Sequence, residues 1–259
     1  YQPKYLTINL SCSGINSAEF EQILQTKNPK LTSLIPSFQN PTGYRYSRNN
    51  RKELALLLKQ HRHFLLEDDP YFELAFNNKP QIPIKAWADE HVFLLGSFSK
   101  SVSPGIRLGW ICAPSEFVAP LLQLKQASDL HSNNFMQHVL YHFLSEYDFA
   151  SYISNVTAHH NMLANQMHAA LARELPRNIA PNKVKGGMFY WLTLPSHIST
   201  TNLFDLAVKK GVAFVPGEPF YAHGDNTQSL RLNFTNSNLN MIDQGIKILS
   251  EVIRESLQK

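Results

Sequence analysis

Four polar clusters stand in the first half of the chain, each at the end of an apolar run: Asn40-Pro41-Thr42-Gly43, Asp68-Asp69-Pro70-Tyr71, Ser97-Phe98-Ser99-Lys100, and Arg107 just ahead of Leu108. They carry an amine, two carboxylates, a phenol, an amide, hydroxyls and a guanidinium. Each has an ordinary structural explanation by itself. Asn-Pro-Thr-Gly is a turn sequence, an Asp-Asp pair can end a strand or cap a helix, a lysine among serines is normally solvated, and an arginine can sit in a surface ion pair. Together they could do more. A neutral amine can form a Schiff base, a carboxylate can hold a proton on a ring nitrogen, and hydroxyls beside a guanidinium can take up a phosphate dianion.

That chemistry needs elements that bring the clusters together. Residues 31–37 read as a buried strand, followed by a helix capped near Ser47 with Leu54, Leu57, Leu58 and His61 on one face. Phe64-Leu65-Leu66, Val92-Phe93-Leu94-Leu95 and residues 108–112 read as further strands, and Tyr5 to Leu10 is strand-like at the start. This alternation predicts an α/β fold with a mainly parallel sheet. In such a sheet the loops at the carboxyl ends of the strands converge on one crevice, where all four clusters would lie.

The second half changes style. Phe149, Tyr152, Ile153, Val156, His160, Leu163, Met167 and Leu171 recur at helical spacing until Pro176, which predicts one long helix. Beyond it, residues 188–194 and 230–234 read as strands, 202–210 as a helix closed by Gly211, and Leu239, Ile242, Ile246, Leu249 and Ile253 as the stripe of a last helix. A smaller α+β domain from about residue 176 fits this pattern. Within Leu230-Arg231-Leu232, alternation puts Arg231 on the face opposite the leucines, which by pattern alone is a solvent face.

Amine, carboxylate, phenolic-oxygen donors and phosphate cup are together what pyridoxal 5′-phosphate demands of a protein. In this order and on these strand ends, the combination resembles the fold-type I, class I/II aminotransferases. The resemblance runs over essentially the whole chain, through residues 97–110 (SFSKSVSPGIRLGW), Gly186-Gly187-Met188-Phe189-Tyr190-Trp191, Val215-Pro216-Gly217 and Leu230-Arg231-Leu232. It is nearest to the branch holding 2-aminoadipate and aromatic aminotransferases and the aminotransferase-like domains of MocR/GntR-type regulators. The resemblance implies that Lys100 is the Schiff-base lysine and later the base that moves a proton between substrate Cα and cofactor. By the same resemblance Asp68, three residues before Tyr71, pairs with the pyridine nitrogen, with Asp69 the lesser candidate on the other side of the extended chain. Tyr71 and Asn40 would hydrogen-bond the phenolic oxygen, Ser97, Ser99 and Arg107 would hold the phosphate, and Arg231, with Asn40 beside it, would bind the substrate α-carboxylate. It further implies an amino-acid and 2-oxo-acid substrate pair and a homodimer, with residues 1–145 as the cofactor-binding large domain and 146–259 as bridging helix and small domain.

The resemblance also implies parts that this sequence lacks: a Gly-rich phosphate loop, an aromatic ring on the cofactor and part of the substrate pocket. The large domain is therefore expected to be N-terminally incomplete, and weak cofactor binding by these residues alone is expected. The same domain can be the effector-sensing half of a MocR/GntR-type transcription factor, in which case DNA would be met only through a domain outside this sequence.

Other readings use fewer of these residues. Ser97-x-x-Lys100 with Ser132-Asn133-Asn134 and Lys185-Gly186-Gly187 mimics the motif order of penicillin-binding proteins, but leaves Asp68, Tyr71 and Arg107 unused. His138 and His142, with His131 nearby, and the pair His159-His160 could suggest metal. No carboxylate is expected at ligand spacing beside the first pair, and Tyr141 and Phe143 read as packing residues, so no metal is expected. The 16 Phe, 10 Tyr and 3 Trp among 259 residues, 43% apolar and 17% charged, supply ample core and exclude wholesale disorder. A net charge of +4 without a Lys/Arg run argues no nucleic-acid face. Two cysteines, Cys12 and Cys112, without CxxC spacing, and no apolar run long enough to span a bilayer, point to a cytoplasmic protein.

Overall fold

The structure, a computed structural model, describes residues 2–179, 181–224 and 227–257. The chain divides into two compact units, one made of Ile8–Ser37 and Tyr44–Val156, the other of Tyr1–Thr7, Phe38–Gly43 and Thr157–Lys259.

The first unit is α/β. In chain order it holds β1 (Leu10–Ser11), β2 (Gly14–Ile15), α1 (Ser17–Lys27), β3 (Thr32–Leu34), α2 (Arg48–Gln60), β4 (Leu65–Asp68), β5 (Val92–Ser97), α3 (Phe98–Ser101), β6 (Gly109–Cys112), α4 (Ser115–Asp129) and α5 (Asn134–Glu146). The sheet order is β3-β4-β5-β6; the first three strands are parallel and β6 runs antiparallel to β5 at one edge. Helix α2 starts where Ser47 Oγ accepts a hydrogen bond from the Asn50 amide, 3.1 Å away. Its Leu54, Leu57 and Leu58 lie one turn apart and are buried in one cluster with Leu34, Leu65 and Val92 from three successive strands. Each buried leucine contributes about 2 kcal/mol, so this seam fixes which strand face meets the helix. At the β6 edge the Trp110 ring lies over Gly96 so closely that a Cβ there would come within 2.2 Å of it.

The strand expected over Tyr5 to Leu10 does not form: only Leu10–Ser11 pairs, with β2, and Tyr5 and Leu6 are more than half exposed. Alternation there finds no ladder to join, and a strand without a partner leaves its backbone groups to water. Tyr141 is also exposed and not a packing residue, because α5 turns that side outward, whereas Phe143 joins an aromatic cluster with Tyr147, Phe149 and Tyr152.

Helix α6 (Phe149–Glu174) begins in the first unit and continues in the second. It is followed by β7 (Phe189–Thr193), α7 (Thr200–Lys209), β8 (Val215–Pro216), β9 (Ser229–Asn233) and α8 (Leu239–Leu257). The sheet here is antiparallel, ordered β7-β9-β8. Ile242, Ile246, Leu249 and Ile253 of α8 are buried, as are Leu203 and Ala207 of α7, which packs beside it. Gly211 takes φ +85° just past α7, the left-handed turn that its residue type permits. Among the described residues no helix is long and apolar enough to cross a membrane, and both cysteines are free and exposed.

Candidate active site

The parallel register sets the first unit's site residues along one edge of its sheet. Asp68, the last residue of β4, pairs with Leu95, two residues short of Ser97. Ser97 ends β5, pairs with Gly109, and caps the short α3, its Oγ accepting from the Ser99 amide at 3.2 Å. Lys100 follows within α3 and is exposed. The amide of Phe98 donates to Leu108 O at 3.1 Å, tying the start of α3 to the lead-in of β6. Arg107 sits in that lead-in with a left-handed backbone, φ 54°, and its NH1 donates to Pro104 O at 3.2 Å. Such a conformation costs a non-glycine residue about 1 kcal/mol. Adjacent strands lie about 4.8 Å apart, so the tips of β4, β5 and β6 fall within roughly 10 Å of one another. Carboxylate, hydroxyls, amine and guanidinium therefore share one sheet edge.

The two aspartates are separated by the pleat. Asp69 is 2% exposed, takes a hydrogen bond from Ser37 Oγ at 2.9 Å, and lies 3.8 Å from Arg51. Desolvation pushes its pKa up to about 7, against the pull of Arg51. Asp68, on the opposite face, is half-buried, and burial alone raises its pKa. It has no hydrogen bond or ion pair with any described residue. A partly desolvated carboxylate with no partner among the described residues suits a cationic or N–H donor from a ligand, which is the fit that a protonated pyridine requires. Tyr71, two residues beyond Asp69, is buried at 5% exposure.

Asn40 and Arg231 belong to the second unit and meet there. The Asn40–Pro41 peptide is cis, and the turn closes by a Gly43 amide bond to Gln39 O at 2.6 Å, while Gln39 Oε1 accepts from the Thr42 amide and hydroxyl. Gly43 adopts φ +70° and lies so close to β7 that a Cβ would come within 2.9 Å of Phe189 O. This seats the turn on β7 and brings Asn40 Oδ1 to accept from Arg231 NH1 at 2.6 Å. Alternation along β9 buries Leu230 and Leu232 and turns Arg231 the other way. Its guanidinium is not simply solvated: Cζ lies 4.3 Å from the Phe189 ring centre and 5.2 Å from that of Phe220. These cation–π contacts hold the guanidinium, whose planar N–H fork matches the geometry of a carboxylate.

Sequence reasoning missed Arg51, Glu67 and Ser37, which form a buried polar set behind Asp68, and the two rings around Arg231. For Arg51 and Glu67 a signal was present: Arg51 is in phase with Leu54 and Leu58 on the apolar stripe of α2, and Glu67 shares the alternating face of Leu65. It also missed Glu146, a carboxylate one turn from His142 that pairs with it at 2.6 Å. No set of three metal-ligating side chains forms among the described residues. In the penicillin-binding mimic, Asn133 is spent as the cap of α5, accepting from the Met136 amide.

Residues 14–249 match the profile of the aminotransferase class I and II family. The chain belongs to that family. It is 38% identical over 265 residues to aromatic-amino-acid aminotransferase 1 of Thermococcus litoralis, covering all of this chain and 64% of the relative. It is 32% identical over 229 residues to the uncharacterized HTH-type transcriptional regulator YisV of Bacillus subtilis, covering 87% of this chain and 46% of the regulator. The fold matches that of Pyrococcus horikoshii kynurenine aminotransferase, solved with PMP, at a TM-score of 0.94, 35% identity, and coverage of 100% and 66% of the two chains. It also matches LysN, the α-aminoadipate aminotransferase of Thermus thermophilus complexed with N-(5′-phosphopyridoxyl)-L-leucine, at 0.91 and 34% identity, covering 99% and 67%. The chain thus spans just under two thirds of the length of the curated aminotransferase cited. Its α/β fold with a mostly parallel sheet is that of the fold-type I aminotransferases.

Proposed function

We propose that the protein is a pyridoxal-phosphate-dependent aminotransferase, moving an amino group between an amino acid and a 2-oxo acid. The observation that carries the reading is Asp68, a half-buried carboxylate without a partner among the described residues, at the same sheet edge as Ser97, Lys100 and Arg107. Bound, the cofactor supplies an electron sink conjugated to the substrate Cα. Asp68 holds the proton on the ring nitrogen, and the cation there draws the carboxyl back to its ionised form. Ser97 Oγ already accepts the Ser99 amide, so its own O–H remains to donate to phosphate, with Ser99 Oγ and the Arg107 fork beside it. Lys100 would provide the amine that holds the cofactor and, once the substrate amine has displaced it, would move a proton from Cα to the cofactor carbon on the far side of the shared nitrogen.

Tyr71 and Asn40 donate to the phenolic oxygen. Arg231 can only donate, so the amide oxygen of Asn40 must face it and the Asn40 N–H2 is left for the ligand. Arg231, held in cation–π contact with Phe189 and Phe220, receives the α-carboxylate in a bidentate grip. Residues 1–145 carry the cofactor side in this reading and 146–259 the bridging helix and small domain. We take the working form to be a cytoplasmic homodimer, a compartment in keeping with two exposed free cysteines. The test is to mix the protein with pyridoxal phosphate and a panel of amino donors and follow formation of pyridoxamine phosphate and 2-oxo acid. Absence of both across the panel overturns the assignment.

A second reading is favoured by the likeness to an HTH-type regulator: the same site would sense an amino acid through the cofactor and control a DNA-binding domain. Stoichiometric cofactor binding without amino-group transfer, together with operator-specific DNA binding by the native protein, would select it.

A further inference from the structure

The first unit holds a wholly buried arginine that the site chemistry does not use. Arg51, 0% exposed on the apolar stripe of α2, donates from NH2 to Pro36 O at 2.9 Å and Ser37 Oγ at 2.8 Å, and longer bonds reach Tyr46 O and Ile82 O at 3.5 Å. Its NH1 lies 3.6 Å from Glu67 Oε1 and 3.8 Å from Asp69 Oδ2. Ser37 passes the contact on, its hydroxyl donating to Asp69. Glu67 is held from the other side by the amides of Ile84 and Lys85, at 2.8 and 2.9 Å, and the Asp69 amide bonds Leu95 O of β5 at 3.0 Å.

The residues on either side of Asp68 are therefore gripped through side chains on the helix face, and Asp68 is the one left pointing the other way. A buried ion network is poor value as stabilisation, since well-packed apolar residues of similar volume often serve as well or better. What a fixed charge network supplies is a single geometry. In a pleated strand a one-residue slip would exchange Asp68 for Asp69 at the sheet's open face. We propose that Arg51 is a positioning residue for Asp68: it clamps the exit of β3 to the end of β4 and so fixes the register and direction of the carboxylate that meets the ring nitrogen. The proposal rests on the cofactor reading above and adds to it a residue that touches neither cofactor nor substrate.

The test compares affinities of the native protein for pyridoxal phosphate and for its carbocyclic analogue, in which C–H replaces the ring nitrogen. Wild type should prefer the nitrogen-bearing form by about tenfold or more, the effect of one charge-assisted hydrogen bond. Asp68→Asn should remove the preference. Arg51→Lys keeps the charge but loses the fork, and Arg51→Met keeps the bulk alone; both should bring the preference close to unity in protein that remains folded by circular dichroism. Should Arg51 variants not fold, Ser37→Ala and Asp69→Asn each release one grip, and both should lower the preference several-fold. A merely structural role would weaken both ligands by the same factor and leave the preference intact, which overturns the proposal. Absence of any preference in wild type would instead overturn the Asp68 reading on which it stands, so the two failures are distinct.

Discussion

Replacing Arg231 by lysine keeps one positive charge on β9 and removes the planar fork, which isolates the contribution of its shape. Arg231 NH1 donates to Asn40 Oδ1 at 2.6 Å, and its Cζ lies 4.3 and 5.2 Å from the ring centres of Phe189 and Phe220, which hold the guanidinium in place. A planar guanidinium can take a carboxylate through two parallel charge-assisted hydrogen bonds. An ammonium in its place supplies one such bond and little stacking, so the loss is one bond of about 1.5–3 kcal/mol, or roughly 10- to 150-fold in kcat/KM. The assay compares each amino acid with the amine that lacks its carboxylate. Wild type should discriminate strongly between them, whereas Arg231→Lys should lose amino-acid efficiency without losing amine efficiency. Retention of amino-acid kcat/KM within about threefold, or an equal loss for both substrates, would refute the carboxylate assignment.

Two further predictions concern the scaffold. The folded-state pKa of Asp69 is raised from 3.8 to about 7, so the protonated form binds its proton more tightly when folded, and the stability this provides is complete below pH 4 and lost as pH rises through 7. At about 1.4 kcal/mol per unit, the difference in unfolding free energy between wild type and Asp69→Asn should fall by roughly 4 kcal/mol between those limits; a flat difference curve in denaturant melts would refute the burial argument. The comparison with Asp69→Asn is needed because His160, depressed to about 4 by burial, works in the opposite sense, its stabilisation being lost as pH falls below 6.5. Gly96→Ala puts a methyl 2.2 Å from the Trp110 ring and should cost about 1–3 kcal/mol by overpacking, with partial recovery in Gly96→Ala/Trp110→Leu. An unchanged denaturation midpoint for the single variant would show that the edge strand shifts freely.

The parts of this fold that sequence reveals are those where one residue's role repeats with a period. Helix α6 is readable because Phe149 to Leu171 keeps a stripe until Pro176, and α2 because Leu54, Leu57 and Leu58 follow a serine cap. Helix α1 escaped notice because only Phe20 and Leu24 are buried in it, too few to mark a period, and α4 because none of its residues is buried. At the site, alternation was enough to separate Asp68 from Asp69. The grip of Arg51 on Ser37 and Asp69 was not readable, since it joins residues 14 and 18 positions apart through a hydrogen bond and an ion pair that no local pattern encodes. The rings flanking Arg231 were hidden for the same reason: Phe189 and Phe220 come from two other stretches of chain.

In the proposed reading Lys100 bonds the cofactor at an edge where Asp68 and Arg107 hold its two ends. The most direct measurement is borohydride reduction of the protein mixed with pyridoxal phosphate, followed by peptide mass spectrometry, for wild type and Lys100→Ala. A phosphopyridoxyl group is expected on Lys100 in wild type, with loss of both the adduct and the visible absorbance in the variant. Absorbance that persists without Lys100, or an adduct found only on another lysine, would contradict it.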